Sequence, residues 1–207
     1  MRRCVIVGGA ELGRPEEIRA YLRGDDFLIC CDSGLRHESA LGRAPDLIVG
    51  DFDSHDDPHA AIETIVLPHV KDDTDSCFAA KEGLRRGFRD FLLLGVAGAR
   101  LDHTLGNLAV ALMLEEAGAR VLIVDAYSEM EFVSDEADVS DAFAYFSLLP
   151  YGGAAEGVTI TGAKFPLAGA RLAPSSSLGV SNEPLPGETA HIRVAAGRLL
   201  LVRVRRG

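Results

Sequence analysis

Short apolar runs recur through the first 125 residues, each followed by a turn and a stretch of helical texture. They are Cys4-Val5-Ile6-Val7, Phe27-Leu28-Ile29-Cys30, Leu47-Ile48-Val49, Thr64-Ile65-Val66-Leu67, Phe91-Leu92-Leu93-Leu94 and Val121-Leu122-Ile123-Val124. Runs apolar at every position, rather than at alternate ones, suit strands buried on both faces. Between them the pattern predicts helices: one opening at Pro15-Glu16-Glu17, one over about 74–86 closed by Gly87, and one over about 104–117 closed by Gly118. Strands and helices in alternation predict an α/β fold with a parallel sheet.

After about Asp125 the helical period fades. Short strands, Ala144-Tyr145-Phe146-Ser147-Leu148-Leu149, Val158-Thr159-Ile160, Ala190-His191-Ile192-Arg193-Val194 and Leu199-Leu200-Leu201-Val202, sit between Gly, Pro and Ser turns. This texture predicts an all-β segment, a small sandwich. The break near 125–142 reads as a change of pattern more than a flexible hinge, and the boundary is placed between 1–128 and 129–207. No repeat or low-complexity linker is visible.

Composition changes this picture little. The 207 residues are 47% hydrophobic and 25% charged, the balance of an ordinary soluble globular protein. No apolar run is long enough to cross a bilayer, and Gly8-Gly9 interrupts the first run too soon for a signal peptide, so a cytoplasmic protein is expected. Four cysteines without a C-x-x-C pair read as small core hydrophobes. Charge matters more. A formal net charge of -10 argues against nucleic-acid or anionic-membrane partners. An acidic protein that binds phosphates must neutralise them with a metal ion held by clustered carboxylates, so the location of the acids becomes the main question.

Ligands of open parallel sheets bind beyond the carboxyl ends of the strands. There the sequence places Gly8-Gly9-Ala10-Glu11-Leu12-Gly13, Asp32-Ser33-Gly34, Gly50-Asp51-Phe52-Asp53-Ser54, and residues 95–98 followed by Arg100-Leu101-Asp102-His103. Asp51 and Asp53, two apart at a strand end, can point the same way and would repel unless a cation such as Mg²⁺ lay between them; the same residues also make a good polar turn. Lys71-Asp72-Asp73-Thr74-Asp75 suits either a helix cap or a phosphate site. Gly95-Val96-Ala97-Gly98 is either a tight turn or a close approach of backbone to phosphate. Arg100 suits a surface ion pair or a polyphosphate, and His103 a local hydrogen bond before a base. The first glycine cluster departs from G-x-G-x-x-G, which gives little support to NAD binding.

In their order, Asp32-Ser33-Gly34, Gly50-Asp51-Phe52-Asp53-Ser54, Lys71-Asp72-Asp73-Thr74-Asp75, Gly95-Val96-Ala97-Gly98-Ala99-Arg100-Leu101-Asp102-His103 with Asn107, and Ser176-Ser177-Leu178-Gly179-Val180-Ser181-Asn182-Glu183 closely resemble the bacterial thiamine pyrophosphokinase family. The resemblance covers almost the whole chain. It implies a Rossmann-like catalytic domain that binds ATP and Mg²⁺, a C-terminal thiamine-binding β-sandwich, and a homodimer with thiamine between subunits. Carried over by position, Asp32, Asp51, Asp53 and Asp75 look like the Mg²⁺ and ATP-phosphate group. Thr74, Arg100 and Asp102 belong to the same site, as do Gly34, Gly98 and Asn107 of the nucleotide-facing motifs. Ser181 and Asn182 look like the thiamine side. Ser33 stands where the family usually has a second glycine, Asp73 where lysine or a glutamine-like residue is commoner, and there is no Trp to stack on thiamine as in some eukaryotic members. The implied reaction is in-line attack of the thiamine hydroxyl on the β-phosphorus of ATP, with Asp102 orienting the hydroxyl or accepting its proton. The rival readings are a phosphatase of the haloacid dehalogenase type, whose Asp-x-Asp pair is expected near the first strand rather than the third, and a non-catalytic nucleotide-binding protein.

Overall fold

Each apolar run of the first 125 residues becomes a strand: β1 (Cys4–Val7), β2 (Phe27–Cys31), β3 (Leu47–Gly50), β4 (Glu63–Val66), β5 (Asp90–Leu94) and β6 (Arg120–Val124). The structure is a computed structural model that describes residues 2–51, 61–68, 72–98 and 100–206. Contacts divide the chain into two units, Met1–Ala126 and Tyr127–Gly207.

In the first unit the strands lie side by side in the order β4-β3-β2-β1-β5-β6, and every pair is parallel. Parallel neighbours need crossovers, and these carry helices α1 (Pro15–Arg19), α2 (Glu38–Leu41), α3 (Asp75–Arg85) and α4 (Leu101–Glu116). Val5, Val7, Leu28, Cys30, Leu92 and Leu94 point to one face, where Ile18 of α1 and Leu41 of α2 join them in a buried cluster. Fully buried Ala79 and Ala80 mark the inward side of α3, which packs against β1, β2 and β3. Both faces are thus covered over most of the sheet, which is why the runs are apolar throughout. The exception is β4. The sequence pattern predicts a strand buried on both faces there, yet β4 pairs only with β3, and Val66 is 68% exposed. An edge strand has one neighbour fewer to bury its side chains.

Both long helices end at the glycines expected to close them. Gly87 N–H donates to Leu84 O and Phe88 N–H to Gly83 O; Gly118 N–H donates to Glu115 O and Ala119 N–H to Leu114 O, the paired bonds of a Schellman motif. α4 begins at Leu101, ahead of the expected 104, and a 3₁₀ segment, Asp32–His37, leads into α2, where the sequence reading names only the strand-end motif Asp32-Ser33-Gly34. Burial pushes the thiols of Cys4 and Cys30 up to about 12, so they stay protonated and pack as hydrophobes. No helix among the described residues is long and apolar enough to cross a membrane.

Two of the ion networks among this unit's described residues hold a buried carboxylate. Arg3, ahead of β1, meets Asp26, ahead of β2, through Nε–Oδ1 at 3.0 Å and Nη2–Oδ2 at 2.7 Å. On α3, Glu82 accepts from Arg85 (2.6 Å to each oxygen) and Arg86 (2.7 Å), and Arg86 reaches Glu63 of β4. The guanidinium of Arg85, assisted by Arg86, holds the buried Glu82 carboxyl down at about 2. Its folded value lies below its unfolded one, so the stabilisation is complete above the ordinary carboxylate range and vanishes as pH falls through the folded value. Glu82→Gln should therefore cost ~1–3 kcal/mol at pH 7. The gap from the parent should narrow between pH 4.5 and about 2 in denaturant melts; a gap independent of pH would contradict the assignment.

The second unit is antiparallel. β7 (Ser128–Val133), β13 (Leu199–Arg205) and β9 (Phe143–Pro150) lie in that order, and β11 (Leu167–Leu172), β10 (Ala155–Thr161), β12 (Thr189–Arg193) and β8 (Glu136–Ser140) form a four-stranded sheet. Val133, Phe146, Leu148, Leu199 and Leu201 from the first set share one buried cluster with Val139, Val158, Ile160, Leu172 and Ile192 from the second. The span 125–142, foreseen only as a change of pattern, holds β7 and β8. β8 lies at the sheet's edge, with Val139 buried among more exposed neighbours, too few apolar positions to register as a strand.

Candidate active site

The strand order β4-β3-β2-β1-β5-β6 reverses its direction of growth between β1 and β5, the place where open α/β sheets hold ligands. A pocket of about 560 Å³ opens there. Its floor is backbone: Gly8 N–H donates to Leu94 O and Ala10 N–H to Gly95 O, both at 2.8 Å. A Cβ on Gly8 would stand 2.6 Å from Gly95 O, and one on Gly95, whose φ is +62°, would stand 2.5 Å from Gly8 O. Side chains at these positions would force the strand ends apart; without them, peptide groups face the pocket directly. His37, with its proton on Nε2, donates to Ala10 O at 2.9 Å and steadies the same loop, and burial lowers its pKa.

Two helix N-termini complete the walls. Thr74, Asp75 and Ser76 open α3, whose N-cap Thr74 Oγ1 accepts from Cys77 N–H at 3.3 Å. Arg100, His103, Thr104 and Asn107 come from the start of α4. Such termini present N–H groups and a positive dipole end, suited to anions. Asp51, at the end of β3, lines the same pocket.

The structure distributes the expected site residues unevenly. Asp51, Thr74, Asp75, Gly98, Arg100 and Asn107 all line this pocket. Asp53 lies outside the described residues. Asp32 and Gly34 stand in the 3₁₀ segment beside the pocket, where their neighbours Cys31 and Ser33 reach its lining. A Cβ on Gly34 would stand 2.1 Å from Val7 O, so Gly34 lets the segment pack against β1. Ser33, in place of a glycine, is accommodated by the residue opposite: a Cβ on Gly9 would fall 2.0 Å from Ser33 Oγ, so the hydroxyl takes the space that Gly9 leaves. Asp73 pairs with Lys81 of α3 at 2.6 Å.

Asp102 faces Arg100. The guanidinium donates to both carboxylate oxygens, at 3.1 and 2.5 Å, and holds the Asp102 carboxyl down at about 2. Arg100 lines the pocket, and Asp102 stands behind it, outside the residues that line it. Ser181 and Asn182 belong to the second unit. Asn182 is 3% exposed, and its amide is engaged within the protein: Oδ1 accepts from Phe165 N–H at 3.0 Å and Glu183 N–H at 2.9 Å, while Nδ2 donates to Phe165 O at 2.8 Å. Ser181 is exposed, has a left-handed φ of +58°, and donates its N–H to Ser147 Oγ at 3.0 Å.

Sequence reasoning leaves out several lining residues. Arg36, whose guanidinium pairs with Glu11 at 3.2 Å, lies two residues after Asp32-Ser33-Gly34 but carries no motif of its own. Ser76 and Thr104 sit in first turns of helices, where a hydroxyl reads as capping.

Among the described residues no three His, Cys, Asp or Glu side chains gather closely enough to hold a metal alone. Mg²⁺ does not require such a cage; it is commonly held by one or two carboxylates together with substrate phosphates and water. Asp51 and Asp75, lining one pocket, fit that mode.

A parallel α/β sheet with carboxylates, two arginines and two helix N-termini around a glycine-floored pocket at its switch point suits a protein that handles phosphorylated ligands. Comparison makes this specific. Residues 18–123 match the family described as thiamin pyrophosphokinase, catalytic domain, and residues 133–199 that described as thiamin pyrophosphokinase, vitamin B1 binding domain. The chain is 26% identical to the thiamine pyrophosphokinase of Bacillus subtilis, over 98% of this chain and 99% of that one. A solved thiamine pyrophosphokinase structure from Bacillus subtilis has the same fold, with a TM-score of 0.87, 22% identity and full coverage of both chains. The thiamin pyrophosphokinase of Geobacillus thermodenitrificans superposes with a TM-score of 0.84 at 26% identity, over 100% of this chain and 99% of that one. The chain belongs to the thiamin pyrophosphokinase family and is an enzyme, a thiamine diphosphokinase.

Proposed function

We propose that the pocket between β1 and β5 binds ATP with Mg²⁺ and that its residues direct the pyrophosphate of ATP onto the hydroxyethyl arm of thiamine, releasing AMP. The observation that carries this reading is the meeting, in one pocket, of Asp51, Asp75, Arg100 and the N-termini of α3 and α4 over a glycine backbone floor. Asp32 and Asp53 complete the proposed carboxylate group. The metal supplies charge neutralisation on the phosphates when bound.

The thiamine oxygen forms a bond to the β-phosphorus while the bond from that phosphorus to the oxygen bridging the α-phosphorus breaks. The hydroxyl proton leaves to solvent, and AMP departs with the bridging oxygen. Positioning and charge stabilisation supply most of the rate in such transfers. N–H groups of the two helix N-termini and the glycine loops cradle the phosphates, Arg100 steadies the transferred group, and Asp102 holds Arg100 and orients the hydroxyl. Thr74, Gly98 and Asn107 shape the nucleotide side, with Gly34 packed beneath it. Ser181 and Asn182 shape the thiamine side, and the thiamine site lies between the subunits of a homodimer. The Rossmann-like reading of the first unit, the sandwich reading of the second, the division of labour between 1–128 and 129–207, and a cytoplasmic location belong to the same proposal.

Incubation with ATP, Mg²⁺ and thiamine should yield AMP and thiamine diphosphate in equal amounts, and neither when the metal is chelated. ADP with thiamine monophosphate would exclude this reaction.

A further inference from the structure

We infer that Ser76 is a positioning residue for the loop 95–98, acting through Asn107. This rests on the pocket being the ATP site proposed above. The chain of hydrogen bonds runs one way. Thr74 Oγ1 accepts the Cys77 N–H at 3.3 Å, which leaves its own proton for Ser76 Oγ at 3.1 Å. Ser76 Oγ then donates to Asn107 Oδ1 at 2.6 Å, and Asn107 Nδ2 donates to Val96 O at 2.7 Å. Three elements that wall one pocket, the start of α3, the second turn of α4 and the loop after β5, are thereby tied together.

Val96 O, which can only accept, sets the direction of the amide, and Ser76 holds its other end. With Oδ1 held by Ser76, the amide presents its NH₂ end to Val96 O. Turned over, the amide would set its oxygen against that carbonyl, acceptor to acceptor, and the loop would lose its anchor. A second clamp acts at the far end of the loop, where Gly98 N–H donates to Thr104 Oγ1 at 3.0 Å. Asn107 therefore serves the site by holding Val96, and Ser76 serves it by anchoring the other end of the Asn107 amide. Neither signal is present in the spacing of the acidic motifs.

Ser76→Ala removes the donor at little risk to a first-turn position, and Ser76→Thr restores a hydroxyl. Loss of one such hydrogen bond should raise the KM for ATP by ~5- to 10-fold. The KM for thiamine and the melting temperature should stay close to the parent values, and Ser76→Thr should recover most of the ATP affinity. An unchanged KM for ATP, or equal rises for both substrates with a lowered melting temperature, would overturn the inference. Calorimetric titration with Mg·ATP separates this from the functional reading. If the parent enzyme releases no AMP but binds Mg·ATP, that reading fails, and a Kd weakened by Ser76→Ala still supports the relay while an unchanged Kd refutes it. No binding of ATP by the parent refutes both.

Discussion

Asp51→Asn should lower turnover by ~10²-fold or more while leaving the melting temperature near the parent value. Asp51 follows β3 directly and lines the pocket with Asp75 and Arg100. The substitution keeps the shape of the side chain, removes its charge and turns one acceptor oxygen into an NH₂ donor, so the volume packed at the end of β3 is unchanged. What is lost is one negative group aimed at the cation and phosphates, in a pocket where charge stabilisation supplies most of the rate. Because that charge acts on the transferring group, the loss should fall mainly in kcat. Asp53→Asn, the second member of the Asp-x-Asp pair, is expected to behave alike. The measurement is AMP release at saturating ATP and thiamine, with a melt to show that each variant is folded. Turnover at the parent rate in both variants would remove the carboxylate pair from the mechanism.

The sequence reveals strands best where burial is two-sided. β1, β2, β3 and β5 are apolar at nearly every position because helices cover both faces, and no other pattern competes with a run such as Phe91-Leu92-Leu93-Leu94. Where burial is one-sided or slight, the signal fades. β4 reads as a core strand but lies at the edge, and β8 does not read as a strand because Val139 is its only fully buried residue. β11, Leu-Ala-Gly-Ala-Arg-Leu, is built from small residues that carry little period.

The site is legible to a similar degree, and for a related reason. Motifs at strand ends converge because parallel strands all point the same way, so Asp51, Asp75 and Arg100 meet without further information. Contacts made across the pocket are not periodic in sequence. Nothing in the spacing of Ser76 and Asn107, 31 residues apart, announces their hydrogen bond. Nor does the sequence show that Arg100 is held by Asp102. Asn182 shows the reverse: a polar residue in a family motif whose amide is spent on the backbone of Phe165 and Glu183.

Asp26→Ala should destabilise the first unit by about 3–5 kcal/mol. The pair it breaks is almost fully buried, with Arg3 6% and Asp26 1% exposed. Both carboxylate oxygens are in use: Oδ1 accepts from Arg3 Nε at 3.0 Å, and Oδ2 from Arg3 Nη2 and the Arg23 N–H, each at 2.7 Å. Removing the acid leaves a guanidinium, which stays charged at any working pH, buried with only the Tyr21 carbonyl as partner among these contacts. The penalty is that of an uncompensated buried charge rather than the value of the attraction itself. It follows that replacing both partners by apolar residues of similar volume, Arg3→Met with Asp26→Leu, should cost less than Asp26→Ala alone, because no charge is stranded. Urea melts of the parent, Arg3→Met, Asp26→Leu and the double variant form a cycle that isolates the coupling, with Asp26→Ala measured beside them. A single Asp26→Ala variant within about 1 kcal/mol of the parent, or a double variant worse than the sum of the singles, would show that the pair is not what fixes the ends of β1 and β2 together.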